Sequence, residues 1–328
     1  MIRLHHDATP RTARRDRKGD QLRDGGGGQV GKAHRVPLSP RPPPGTRRGV
    51  SAPDLFARPR RRLHRDRAQF DFARADFLHR YMLEGIEDRL QAVTRSFSDV
   101  LDLGCADAAF APPPGARIAR FDPGFAFARA AHGVQGDEDR LPFADGAFDL
   151  VVSVGVLDSV NDLPGALTLI RRSLRPDGLF LAAFTGGRTL ATLRQSLLAA
   201  EADRPAARVH PQIDLRSAGD LLVRAGFALP VADSETLTVR YAGLGKLVDD
   251  LRGMGATGLL EPAPLGRAGL VAAASAFADR ADSDGRTAEA FEVIYLTGWA
   301  PAPSQPQPAR RGSATASLAD TLGRPGAP

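Results

Sequence analysis

The sequence predicts an α/β fold: a mostly parallel, doubly wound sheet with helices on both faces. Three observations lead there. Short apolar runs alternate with amphipathic helical patterns between residues 98 and 300. One of them, FDLVVSVGV (Phe148 to Val156), is apolar almost throughout, as a strand buried on both faces of a parallel sheet must be. Acidic residues stand directly after several of the runs, at the edge where such sheets bind ligands.

The first ordered pattern is Gln69 to Thr94, where Phe70, Phe77, Tyr81, Leu83, Ile86, Leu90 and Val93 fall at mostly helical spacings. VLDL (Val100 to Leu103) and IARF (Ile118 to Phe121) read as short strands, and FAFARAAH (Phe125 to His132) as a helix stopped by Gly133. Between the first two strands, Pro112-Pro113-Pro114-Gly115 breaks any helix. After the strand at Phe148, Pro164 to Leu174 predicts a helix closed by the turn Pro176-Asp177-Gly178, and Leu179 to Thr185 a further buried strand. Helices follow from Gly187 to about Ala202 and over Ser217 to Gly226. Two late strands, Glu235 to Tyr241 and Glu292 to Trp299, enclose helical stretches at about 243–253 and 265–280.

Of the 328 residues, 42% are hydrophobic and 25% charged, the balance of a soluble globular protein with an ample core. The single cysteine excludes a disulfide framework and suits a reducing compartment. No apolar run reaches the roughly 18 residues of a membrane span, and no apolar stretch follows the N-terminal charges as in a secretory signal. A cytoplasmic protein without a transmembrane segment is expected, or a mitochondrial matrix protein if the source is eukaryotic.

The net charge of +6 is uneven, for residues 1–67 hold 18 Lys and Arg against 6 Asp and Glu. That is +12, which leaves −6 for the rest, so the basicity is read as belonging to a tail and no specific nucleic-acid partner is expected. The organisation predicted is a disordered Arg/Gly/Pro-rich tail over 1–53, an N-terminal helical segment over 54–97, the α/β domain over 98–300 with a helical insertion at about 243–285, and a flexible tail over 301–328.

The candidate ligand residues are those just beyond the strand ends. Asp102, Gly104, Cys105 and Ala106 form the first turn, Asp122 and Pro123 the second, Asp137 and Glu138 the third, and Ser153 ends the fourth strand. A carboxylate after the second strand can accept both hydroxyls of a ribose, in charge-assisted bonds worth roughly 1.5–3 kcal/mol. The acid after the third is placed for an adenine amino group, and a glycine in the first turn lets backbone approach the ligand. Neither G-x-G-x-x-G in that turn nor G-x-x-x-x-G-K-[ST] is present, so dinucleotides and ATP fit poorly. A nucleoside without phosphates, held by carboxylates, points to S-adenosylmethionine. Each acid alone could equally be a turn residue, as Asp122 before Pro123-Gly124 would be. No catalytic residue and no metal ligand is assigned: the H-x-D pairs His5–Asp7 and His64–Asp66 fall in the basic region, and Cys105 is read as packing.

DLGC (Asp102 to Cys105), DEDRLPF (Asp137 to Phe143), FDLVV (Phe148 to Val152) and LRPDG (Leu174 to Gly178) resemble class I S-adenosylmethionine-dependent methyltransferases. Six further runs are similar to one branch, the methyltransferase-like assembly factors of mitochondrial complex I that hydroxylate an arginine, and their bacterial relatives. They are VNDLPGAL (from Val160), TGGRTLATLRQSL (from Thr185), AGF (from Ala225), YAGLGKLVDDLRGMG (from Tyr241), YLTGW (from Tyr295) and RGSATASL (from Arg311). The resemblance implies a Rossmann-like methyltransferase fold, S-adenosylmethionine as cofactor, and an iron–sulfur subunit of respiratory complex I as protein substrate. The chain departs from the superfamily pattern at Ala106 and Ala108, where glycines are usual. It departs again at Leu157-Asp158-Ser159-Val160, where relatives usually present Leu-His-Trp-Val. A non-catalytic assembly factor and a small-molecule methyltransferase remain as alternatives.

Overall fold

The structure, a computed structural model, describes residues 54–201, 205–260 and 265–306. The predicted N-terminal tail, most of the C-terminal one and the run RGSATASL lie outside the described residues. Eight helices and seven strands follow in the order α1 (Arg58–Ala68), α2 (Phe77–Gln91), β1 (Asp99–Leu103), β2 (Arg117–Asp122), α3 (Phe125–Ala130), β3 (Val134–Gln135), β4 (Phe148–Val154), α4 (Leu163–Ser173), β5 (Leu174–Thr185), α5 (Ala191–Ala200), α6 (Leu215–Ala225), β6 (Ala228–Tyr241), α7 (Leu244–Gly253), α8 (Arg267–Ala278) and β7 (Thr287–Trp299) among the described residues. The strands form one sheet ordered β3-β2-β1-β4-β5-β7-β6. Neighbours from β3 to β5 pair in parallel, and β7 runs antiparallel to both β5 and β6. This is the predicted class of fold.

Side-chain alternation explains the two layers. Leu179, Leu181 and Ala183 of β5, with Phe291, Val293 and Tyr295 of β7, face the core that Leu78, Met82 and Ile86 of α2 and Leu244 and Leu247 of α7 complete. Phe180, Ala182 and Phe184, with Ile294 and Leu296, face the opposite core under Ala166, Leu167 and Ile170 of α4 and Ala218 and Leu222 of α6. Helix ends follow sequence chemistry. Asp162 caps α4 by accepting from Gly165 N, Asp214 caps α6 through Ser217 N, and Gly226 closes α6 at φ +84°.

Three elements differ from the sequence reading. The Gln69–Thr94 pattern yields only Phe77–Gln91 as helix, and Phe70 is exposed. Phe72 turns inward instead, edge-on to Phe127 at 5.2 Å, and a short turn over Phe72–Arg74 separates it from α2. The expected turn at Asp177 lies within β5 as an irregularity, with Asp177 at φ +64°. The third is α1, eleven residues of the segment expected to be helical over 54–97 for which the sequence shows no separate helix pattern. No helix joins β1 to β2: residues 104–116 form turns, one closed by Ala116 N to Pro113 O.

Candidate cofactor site

The carboxyl ends of β1, β2, β3 and β4 bring the predicted ligand residues to one edge. Leu103 pairs with Phe121 on one side and with Ser153 on the other, and Asp122 pairs with Gln135. The first turn is fastened by Gly104 N to Phe121 O at 2.8 Å. Gly104 sits at φ +82°, and a Cβ there would lie 2.5 Å from Val154 O, so glycine is required. Of the two departures from glycine, only Ala108 takes a positive φ, +58°, at a cost of roughly 1–2 kcal/mol. Ala106 is buried against Ala68, Phe72 and Phe127, and its methyl is part of that packing. Cys105 is buried, and burial pushes its thiol well above the usual range. Pro123 is buried, and its carbonyl accepts from Gln135 Nε2.

All four strand-end acids are buried. Asp102 has Arg120 Nε 3.7 Å from Oδ2 but no hydrogen bond on that oxygen, and burial pushes its carboxyl up to about 7. Ser153 Oγ, on the neighbouring strand, is likewise buried without a partner among the described residues. The other acids are engaged by a feature the sequence reading missed. Arg58, Arg61, Arg62 and Arg65 stand at i, i+3, i+4 and i+7 of α1, on one face of that helix.

Arg65 Nε and Nη2 donate to Asp122 Oδ1 and Oδ2 at 2.8 and 2.6 Å. Arg61 Nη1 and Nη2 donate to Glu138 Oε2 and Oε1 at 2.6 and 3.0 Å, and Nη2 also reaches Val156 O at 2.7 Å. Arg62 meets Asp137 at 2.7 Å, and Arg58 grips Asp139 with two bonds of 2.7 Å. The spacing of these arginines was visible in RPRRRLHRDRA. They lie in the segment expected to be helical over 54–97, but their charge counts with that of the basic tail and no role at the strand ends is read into them. His64 and Asp66 take packing roles: His64 Nδ1 meets Thr257 Oγ1 at 2.9 Å, and Asp66 Oδ1 accepts from Ala126 N at 2.8 Å.

Beside Arg65 a cavity of about 70 Å³ lies at the ends of β4 and β5, lined by Gly155, Asp158, Thr185, His79, His210 and Gln212 over an apolar floor. Thr185 donates to Asp158, while both ring nitrogens of His79, Nε2 of His210 and Oε1 of Gln212 lack partners among the described residues. Burial lowers the pKa of both histidines, so near neutral pH they present uncharged imidazoles.

A parallel sheet of this order, with carboxylates at successive strand ends and a glycine-opened first turn, defines the class I methyltransferase type of nucleoside site. The chain belongs to the methyltransferase-domain family: the Methyltransferase domain matches residues 74–230. It is similar to the mitochondrial arginine-hydroxylase NDUFAF5 of Rattus norvegicus, 33% identical over 328 residues, covering 92% of each chain. The Homo sapiens protein of that name is 34% identical over 295 residues, 83% of this chain and 86% of its own. The malonyl-[acyl-carrier protein] O-methyltransferase of Laribacter hongkongensis is 32% identical over 262 residues, 72% of this chain and 87% of its own.

The family's cofactor is S-adenosylmethionine, and the donor set here suits it. Carboxylates end β2 and follow β3, and Asp102 Oδ2 and Ser153 Oγ retain unused hydrogen-bonding capacity. The cavity falls well short of the roughly 300 Å³ of a small-molecule site, and Arg65 of α1 stands in its wall.

Proposed function

We propose that this protein is an S-adenosylmethionine-dependent, methyltransferase-like enzyme that modifies an arginine of a protein partner, an iron–sulfur subunit of respiratory complex I, during assembly of that complex. The observation that carries the reading is the similarity to the arginine-hydroxylase NDUFAF5, which extends over 92% of both chains and so takes in α7, α8 and β7 as well as the cofactor domain. In this reading Asp122 accepts the ribose hydroxyls and Asp137, with Glu138 beside it, receives the adenine. Gly104, Cys105 and Ala106 bring backbone to the ligand, and Asp102, Pro123 and Ser153 complete the wall. When bound, the cofactor supplies an electrophilic methyl group on a sulfonium.

The chain's own residues supply position and field. Asp158, held by Thr185, is a carboxylate at the substrate side of the cavity, suited to a cationic acceptor. The uncharged His79 and His210 add no positive charge beside a sulfonium. Methyl transfer depends chiefly on in-line placement of the acceptor, so it needs no general base among these residues. The same reading puts the protein in the cytoplasm of a bacterium, or in the matrix of a mitochondrion. Among the described residues no helix is long and apolar enough to cross a membrane.

The test is mass spectrometry of the complex I subunit from a strain lacking the gene and from one carrying Asp122→Ala. A modification lost in both supports the reading, and its mass distinguishes an added methyl from an added oxygen. A subunit unchanged by deletion refutes it. The similarity to the Laribacter hongkongensis enzyme favours a second reading, methylation of a carboxyl acceptor. Formation of a methyl ester on a carrier-bound malonyl group by the purified protein would establish that instead.

A further inference from the structure

We propose that α1 is an intramolecular occupant of the nucleoside site, and that docking of α1 and binding of S-adenosylmethionine exclude one another. The inference rests on the cofactor reading above. Its first support is occupancy. Asp122 Oδ1 already accepts from Arg65 Nε and Gly124 N, and Oδ2 from Arg65 Nη2, so the carboxylate assigned to the ribose is bonded through both oxygens. Both oxygens of Glu138 are taken by Arg61, and Asp137 by Arg62. With two bonds on Asp122 Oδ1 and guanidinium groups on Asp122 Oδ2, both Glu138 oxygens and Asp137 Oδ2, a ribose diol and an adenine would compete with α1 for these carboxylates.

The second support is how α1 is held. Its buried residues are Arg61, Arg65 and Ala68, and Leu63 remains 46% exposed, so little apolar surface anchors the helix. Most of its other ties are polar: Asn161 brackets the backbone of Phe56, Ala57 N reaches Leu259 O, Arg60 reaches Leu260 O, His64 meets Thr257 and Asp66 meets Ala126 N; the apolar ones are Ala68 against Phe72 and Phe127, and the Phe56 ring edge-on to His210 at 5.4 Å. Arg65 also lies over the Phe127 ring at 4.9 Å. Buried ion pairs nearly break even against solvation. A helix docked through them is therefore exchangeable in a way that one docked through a leucine stripe is not.

The third support is register. Four arginines on one face meet Asp122, Asp137 and Glu138, carboxylates of two separate loops that the nucleoside reading also groups, and the adjoining Asp139. A released α1 would leave those carboxylates free, and the cofactor would carry the cost of release as a weaker apparent affinity. With α1 docked in about 999 of every 1,000 molecules, that weakening is on the order of a thousandfold.

The experiment uses the full chain with S-adenosylmethionine as ligand. Hydrogen–deuterium exchange over residues 58–68 of the wild type is measured with and without ligand, and calorimetry compares the wild type with Arg61→Gln/Arg65→Gln, Arg58→Gln and Arg67→Gln. Exclusion predicts faster exchange across α1 when ligand is bound. It predicts binding at least a hundredfold tighter by the double variant, several-fold tighter by Arg58→Gln, which bonds Asp139 outside the assigned cofactor set and meets Asp137 at 3.3 Å, and no change for the exposed Arg67→Gln. Slower exchange of α1 on binding, or weaker binding by Arg58→Gln, would show that α1 helps hold the ligand and would overturn the proposal while the cofactor reading stands. Absence of binding by every protein overturns both. Should the double variant fail to fold, the wild-type exchange and Arg58→Gln decide.

Discussion

Removing Arg65 should be among the most damaging single changes in the described structure, and its magnitude can be worked out from one contact. Asp122 is fully buried, and Arg65 is the only cation that meets it in an ion pair among the described residues. Arg65→Ala leaves that carboxylate buried with Gly124 N as its remaining partner. Breaking a buried pair from one side costs about 3–5 kcal/mol, because the surviving charge is neither solvated nor balanced. Loss of the contact with Phe127 adds about 1 kcal/mol.

In a domain of this size each kcal/mol moves Tm by about 2–4 °C, so a fall of roughly 8–24 °C is expected. Thermal melts by circular dichroism should include Asp122→Asn and the double variant Arg65→Ala/Asp122→Asn. The double variant should be more stable than Arg65→Ala, since Asn carries no charge and keeps an oxygen for Gly124 N. A drop of less than about 2 °C in Arg65→Ala, the range of an ordinary surface change, would refute the reasoning. So would a double variant no more stable than the single one.

Three further outcomes follow from the geometry. The Asp102 carboxyl, raised by burial to about 7, keeps a proton that the unfolded chain releases near pH 4; its contribution to folding is therefore present at low pH and lost as pH rises toward 7. Asp102→Asn should exceed the wild type in stability at pH 8, by on the order of 4 kcal/mol, with the gap closing toward pH 4; a gap independent of pH in guanidinium titrations would contradict this. Gly85→Ala should lower Tm although alanine is about 1 kcal/mol better in a helix, because its Cβ would lie 2.6 Å from Cζ of the buried Tyr295, whose ring is also covered by Arg89; a higher Tm would show that the ring can yield. Cys105, buried with its thiol pKa raised, should react with a disulfide reagent only after unfolding in guanidinium, and rapid labelling of the native protein at pH 8 would show that its turn opens.

Much of the sheet was legible because its central strands leave no alternative. A run such as Phe148 to Val154 is too apolar for a surface and too short for a helix of the core, and Gly155 at φ +67° ends it. The strand-end acids were legible from the same strands, since topology places whatever follows them at the binding edge. The edge strand was not: β6 extends to Ala228, seven residues before the predicted start, and Leu229, Pro230 and Val231 are exposed, so no inward alternation marks it. Helix α1 lies in the segment expected to be helical, but how it docks was illegible for a related reason. Hydrophobic periodicity detects helices that dock on apolar cores, and α1 docks through guanidinium groups on carboxylates up to 81 residues away in sequence. Arginine at i, i+3, i+4 and i+7 looks the same in the sequence whether water or Asp122 lies opposite.

The acids themselves divide in a way that bears on function. Asp122, Asp137, Glu138 and Asp139 each meet an arginine of α1, whereas Asp102 meets only Arg120 at 3.7 Å and, among the described residues, no residue of that helix. If the strand-end acids were merely sites for anchoring α1, nothing would favour a further buried carboxyl at Asp102, with an unbonded oxygen and a raised pKa, beside an unbonded Ser153 hydroxyl. Both are costs to the folded state that the surrounding chain does not offset. They are understandable where a ligand with hydrogen-bonding groups completes the site. The α1 arginines thus close the side of the cleft at Asp122, Asp137 and Glu138, while Asp102, Ser153 and the cavity at Gly155 and Asp158 remain as the part they do not satisfy.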